Sequence, residues 1–136
     1  MKKILFSLLA TLFAVGLFAQ SNAARQAAIN NISITTASTD LSPAERAEAV
    51  TKQIARVLNI SAAQREAMYQ INLDAAKKMD EIAKYAQSDI VPRKHAALFE
   101  DTNNKILRIL KPEQQTQYQA IIQKSMQYKK FQSAKG

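Results

Sequence analysis

The fold is decided by Leu58-Asn59-Ile60-Ser61-Ala62-Ala63-Gln64-Arg65-Glu66-Ala67-Met68-Tyr69-Gln70-Ile71-Asn72-Leu73-Asp74-Ala75-Ala76-Lys77-Lys78-Met79. Ser61, with Gln64 three residues on, has the pattern of a capping box. The Ser oxygen accepts from the backbone N–H at the third helical position, and the Gln side chain reaches back to the cap. Ile60 stands just before the cap, where an apolar residue fixes the entry angle of the chain. Met68, Ile71, Ala75, Met79, Ile82 and Ala86 then follow at three- and four-residue steps. Such spacing lines up one face of a long helix.

The same opening occurs at Leu41-Ser42-Pro43-Ala44-Glu45 and at Leu110-Lys111-Pro112-Glu113-Gln114. Pro is favoured at the first helical position. Lys111 stands where a capping hydroxyl is expected. Aligning the second and third copies without gaps pairs Gln64 with Gln114, Met68 with Tyr118 and Ile71 with Ile121. The copies are unequally spaced, so one helix-start device is used three times and no solenoid is built.

Working outward, helix one is expected over Pro43–Leu58, with Ala47, Val50, Ile54 and Val57 as its apolar stripe. Helix two runs from Ala62 to about Ala86, and Tyr69, Leu73 and Ala76 widen its apolar face. Gln87-Ser88-Asp89 is the break that follows. Helix three runs from about Pro92, or slightly earlier, to Leu110. It carries Ala96, Phe99, Ile106 and Leu110, with Asn103 interrupting the row. Pro112 cannot continue helix three, so it opens helix four, which presents Tyr118, Ile121, Ile122, Ser125 and Met126.

The expected class is all-α: an elongated four-helix, antiparallel hairpin-type protein. Helices two and three form the hairpin, and one and four pack along it. A body of this kind leaves a continuous apolar strip open unless a second chain covers it.

Lys2 and Lys3 precede an apolar run from Ile4 to Ala19, and Ser21-Asn22-Ala23 offers a small-x-small cleavage site. The pattern is that of a secretory signal over 1–23, with Ala19 the alternative cut. The run is short for a membrane span, and no Cys follows it to carry a lipid. Removing 23 of the 136 residues leaves 113, one small domain. Residues 24–40 are rich in Ala, Asn, Ser and Thr and read as a flexible arm. The alternation in Asn30–Thr36 has no partner strand to pair with. The helical domain spans 41–132, and 133–136 form a short tail. With no cysteine, an exported chain here has no disulfide to hold it.

The formal net charge is +8. Without Lys2 and Lys3 it is +6, from 17 basic and 11 acidic residues. No acidic residue follows Glu113, whereas Lys124, Lys129, Lys130 and Lys135 do. Export disfavours nucleic acid as the partner. Acidic unfolded chains, anionic lipid or envelope polymers fit better.

Nothing in the chain reads as an enzyme. His95 is the sole histidine, too few for a zinc site without cysteine. Asp80-Glu81 and Glu100-Asp101 are neighbours that a helix turns about a hundred degrees apart, so neither is a facing carboxylate pair. Gly16 and Gly136 are the only glycines, which excludes Gly-rich phosphate loops. No cofactor or metal is expected. Met68, Met79 and Met126, with Tyr69, Tyr85, Tyr118 and Tyr128, read first as core. Met also suits a surface that adapts to varied apolar partners. The candidate client-binding set is Met68, Tyr69, Leu73, Met79, Lys77, Lys78, Tyr128, Lys129 and Lys130.

Two stretches carry a family likeness. One is Leu58–Gln64 with Tyr69-Gln-Ile-Asn-Leu73 and Lys77-Lys-Met-Asp-Glu-Ile82; the other is Lys105–Tyr118. Over Leu41–Met126 the chain resembles the LTxxQ-motif, Spy/CpxP-like family of envelope stress proteins, especially the short Spy-like proteins of Bacteroidota. The resemblance implies a helical periplasmic protein and a cradle-like antiparallel homodimer. It further implies ATP-independent binding of unfolded or misfolded envelope proteins, or docking on a stress sensor. It makes Ile60, Ser61, Gln64, Leu110, Pro112 and Gln114 architectural. Lys111 departs from the family's Ser or Thr, and the histidines of metal-binding relatives are missing. The leading expectation is a periplasmic holdase. The alternatives are a regulator that docks on an envelope sensor, and a protein that binds the membrane surface or an envelope polymer through its basic end.

Overall fold

Three of the four described helices begin where a side chain supplies a partner for a backbone donor at the helix start. The computed structural model describes residues 40–85, 87–124 and 133, all within the unit Ile32–Gly136. The expected signal segment, the arm up to residue 39, Ala86, and Ser125, Met126, Tyr128, Lys129 and Lys130 lie outside them.

Helix α1 spans Pro43–Leu58. Ser42 Oγ accepts from the Glu45 N–H at 3.3 Å, and Glu45 Oε2 accepts from the Ser42 N–H at 2.8 Å. Asn59 ends the helix in the left-handed region, with φ 50° and ψ 52°. Among the described residues it is the one non-glycine at positive φ, and Asn tolerates that region better than most. Helix α2 spans Ala62–Ala83 and opens with the box the sequence predicts. Ser61 Oγ accepts from Gln64 N–H at 3.1 Å, and Gln64 Oε1 accepts from Ser61 N–H at 2.9 Å.

α2 stops at Ala83, before the expected Ala86. There the backbone tightens: Lys84 N–H donates to Glu81 O, Tyr85 N–H to Ile82 O, and Ser88 N–H to Tyr85 O. Such i→i+3 bonds end helices. Helix α3 spans Val91–Ile109. Ile90 is its N-cap and makes no side-chain cap bond; Pro92 lies in the first turn. Leu110 is extended, which ends α3 before Lys111 and Pro112. Helix α4 spans Pro112–Lys124.

The architecture is all-α, with four helices in a hairpin-type arrangement and no strand among the described residues. α1 packs along α2, and α2 along α3; α4 also meets α1. Cross-links fix the antiparallel order. Arg46 near the start of α1 pairs with Asp80 near the end of α2. Thr51 and Asn72 hydrogen-bond in the buried α1–α2 seam at 3.0 Å. Tyr118 of α4 donates to Asn103 of α3 at 2.6 Å. Asn103, which breaks the apolar row of α3 in the sequence, is there to receive that phenol.

The core comprises Ala47, Ile54, Val57 and Leu58 of α1, Met68 and Ile82 of α2, Leu98 and Ile106 of α3, then Leu110, Tyr118 and Ile121. Each fully buried Ile, Leu or Met contributes about 1.5–3 kcal/mol of transfer free energy. Two expectations on α3 shift. Ala96 and Phe99 are only half-buried, and Leu98, absent from the predicted stripe, is buried instead. α3 meets α2 on one side and α4 on another, so its inner face is wider than a single row.

Candidate functional site

Two regions of the bundle stand out, one at each end. At the first, the end of α1, the start of α2, the end of α3 and the start of α4 converge on two glutamines. Gln64 Nε2 donates to Gln114 Oε1 at 2.8 Å and to the Ile109 carbonyl at 2.9 Å. Gln114 Oε1 also accepts from the Lys111 N–H at 2.9 Å. Gln114 Nε2 returns to Gln64 Oε1 and reaches the Asn59 carbonyl, each at 3.4 Å. Gln115 Nε2 donates to the Leu107 and Leu110 carbonyls at 2.9 and 3.1 Å. Helix starts lack acceptors and helix ends lack donors; side-chain amides supply both.

The α4 start therefore has half of a capping box. Gln114 closes the return bond, but Lys111 has no side-chain oxygen for the other half. Ile60, Ser61, Gln64, Leu110, Pro112 and Gln114 all sit at this junction.

The opposite end lies where α1 starts, α2 ends and α3 begins. Leu41, Tyr85 and Ile90 are 39%, 55% and 45% exposed. They are the large apolar side chains left most open among the described residues. Lys94 of α3 sits over the Tyr85 ring, its Nζ 4.9 Å from the centroid, within cation–π range. Lys84 pairs with Glu81 at 2.8 Å, and Arg93 is exposed. Asp40, Glu81 and Asp89 are exposed at the same end, so this apolar ground is rimmed by both signs of charge.

The predicted client-binding residues do not form one surface. Met68 is 0% exposed. This corrects its assignment to a client face: it lies one turn below Gln64, where the bundle is most enclosed. Tyr69, Leu73 and Met79 are half-buried, while Lys77 and Lys78 are exposed. Lys78 pairs with Asp74 at 2.8 Å; that hydrogen bond raises its pKa from the ordinary lysine value. Tyr69 lines an open groove of about 520 Å³ with Ala44, Glu45, Glu48, Ala49 and Lys52 of α1. Two alanines and no large apolar residue from α1 make this a shallow surface trough, unlike the enclosed apolar pockets that hold small molecules. Tyr128, Lys129 and Lys130 lie outside the described residues.

Among the described residues, the large apolar side chains that are exposed outright gather at the end that carries Tyr85, while Tyr69, Ile71, Leu73 and Met79 along α2 are half-buried. The sequence reading missed Leu41 and Ile90 as exposed residues. Their signal was positional, since each immediately precedes a helix start and so lies off the buried stripes.

Among the described residues no helix is long and apolar enough to cross a membrane, and no group of three or more metal-ligating side chains gathers. These features define a small all-α bundle whose helix starts are built by a recurring capping motif. A family model described as a domain of unknown function (DUF4890) matches residues 33–132. The chain belongs to that family. No curated protein and no solved structure is found to match it.

Proposed function

We propose that this protein is an ATP-independent chaperone that captures unfolded polypeptides in the bacterial periplasm and works as a homodimer. The observation that supports this most directly is that Leu41, Tyr85 and Ile90, the exposed large apolar side chains among the described residues, stand together at one end of the bundle. The charged residues Lys84, Arg93, Lys94, Glu81 and Asp89 surround it. Apolar side chains supply short-range attraction, and charges of both signs suit polypeptides of varied sequence. The net positive charge of the chain raises encounter rates with acidic unfolded segments.

Magnitudes explain why the capture is weak and why a dimer helps. Covering three half-exposed side chains gains roughly 3–4 kcal/mol. Micromolar affinity requires about 8 kcal/mol. Two such ends on one dimer act on the same client through effective concentration, with no new type of contact. The Lys2-Lys3 start, the apolar run and Ser21-Asn22-Ala23 support export.

Light scattering of an aggregating client, with the mature chain and no nucleotide, tests this reading. Suppression at equimolar dimer is expected, with loss of suppression in Tyr85→Ser/Ile90→Ser at unchanged melting temperature. Absence of protection by the unaltered chain at equimolar or higher dimer overturns it. Sedimentation equilibrium reports the dimer, and N-terminal sequencing of the exported chain reports the cleavage after Ala23 or Ala19.

A further inference from the structure

We infer that the α2–α3 turn gives the open end a preference: it favours client segments in which an acidic residue stands beside a bulky apolar one. This rests on the chaperone reading and names the class of segment that the end selects.

The charges at this end are not equivalent. Asp80 is held by Arg46, and Glu81 by Lys84. Arg93 and Lys94 are exposed, and among the described residues neither forms an ion pair with a carboxylate. No acidic residue lies in the first turn of α3 to offset them. Asp89 is the exposed carboxylate next to Ile90, while Asp40 stands beside Leu41 at the start of α1. The ground around Ile90 therefore carries two unmatched cations against one unmatched anion.

Their placement joins those two cations to the apolar side chains. Arg93 and Lys94 follow Ile90 by three and four residues, the spacing that puts side chains on one helix face. The turn that carries this spacing is formed, since the Lys94 N–H donates to Ile90 O at 3.0 Å. Lys94 Nζ then reaches across to Tyr85, 4.9 Å from the ring centroid. Ile90 and Tyr85 are 45% and 55% exposed, so cations and open apolar surface form one continuous face.

A client segment uses both halves of that face at once. Its apolar side chain covers Ile90 and the Tyr85 ring. A neighbouring carboxylate meets Arg93 and draws the Lys94 ammonium off the ring. The apolar cover excludes water from these ion pairs, and Coulomb attraction strengthens as the surroundings become less polar. The acidic and apolar residues must therefore adjoin. An acid placed elsewhere in the client meets a cation that stays in water, where such pairs contribute little.

Fluorescence anisotropy of labelled, unstructured peptides with the mature full-length chain tests this. One peptide carries Phe-Asp and Leu-Glu pairs. A second has Asn and Gln in place of the acids, and a third keeps the acids with Ser in place of Phe and Leu. The first is expected to bind at least about fivefold tighter than either of the others. Arg93→Gln/Lys94→Gln should lower its affinity to that of the second peptide, with the second peptide's affinity and the melting temperature unchanged. Lys52→Gln/Arg56→Gln removes the same charge from α1 and should leave the preference intact. Equal binding of the first and second peptides overturns the inference. So does a preference that survives Arg93→Gln/Lys94→Gln, or one that Lys52→Gln/Arg56→Gln abolishes; in each of these cases the peptides still bind and the chaperone reading stands. Failure of the chaperone reading has a different signature and takes the inference with it: none of the three peptides binds, and light scattering shows no protection.

Discussion

The amides of Gln64 and Gln114 hydrogen-bond to each other across the two turns that start α2 and α4, at 2.8 Å in one direction and 3.4 Å in the other. Their orientations follow from the neighbours. The Ser61 and Lys111 N–H groups require acceptors, and the Ile109 and Asn59 carbonyls require donors. A local helix-start signal has become a tertiary contact, because each glutamine uses its oxygen on its own helix and its nitrogen on another.

Replacing either glutamine by alanine should therefore do more than remove a cap. Gln64→Ala and Gln114→Ala are each expected to destabilise by about 1–3 kcal/mol, since each leaves helix-end groups unpaired. The double variant should fall short of the sum, with a coupling of about 0.5–3 kcal/mol. Urea unfolding of the four chains measures it; strict additivity would show that the pair does not act as a unit.

Lys111→Ser should stabilise the protein. It supplies the missing hydroxyl at the α4 cap while Gln114 already provides the return bond. The expected gain is about 0.5–2 kcal/mol, seen as a higher melting temperature. Ser61→Ala, which removes the same hydroxyl from α2, should move the melting temperature in the opposite direction.

The Thr51–Asn72 bond lies in the α1–α2 seam, with both residues buried. Asn72→Ala should cost about 1–3 kcal/mol by stranding Thr51 and leaving a void. The paired replacement Thr51→Val with Asn72→Leu removes both polar groups and should cost much less. A double as damaging as the single would mean that shape, and not hydrogen bonding, sets the choice of Asn.

Stability should fall at high pH. Burial pushes the Tyr118 phenol well above its ordinary value of 10. The folded chain thus keeps a proton that the unfolded chain releases near pH 10. This contribution is complete below that pH and declines as pH rises toward the folded value, by at most about 1.4 kcal/mol per pH unit. Urea midpoints from pH 9 to 12 should fall less steeply in Tyr118→Phe. On the acid side, the Ser42 hydroxyl and N–H hold the exposed Glu45 carboxyl below its ordinary value. Its contribution is present above that ordinary value and lost as pH falls through the folded one.

The helix starts were legible in the sequence because capping is local: Ser42 with Glu45 and Ser61 with Gln64 act over three residues. The limits of α1 were legible for the same reason. The pairing of Gln64 with Gln114 was not, since nothing within either motif encodes where the amide nitrogen points. Met68 illustrates the harder case. Periodicity placed it on an apolar face, but whether that face meets solvent depends on how the other helices pack around α2. Asn103 looked like a flaw in a stripe until Tyr118 gave it a partner. At the other end, Leu41 and Ile90 escaped because each stands just ahead of a helix start, off the buried stripes that periodicity picks out.

Asn59 makes the left-handed corner after α1, and no glycine occurs from Asp40 to Lys124. A disordered chain without glycine roams over fewer backbone conformations, so less freedom is surrendered when it orders. This lightens the entropic burden on a body that has neither disulfide nor a large interior, and Asn59→Gly would hand part of that freedom back to the denatured ensemble.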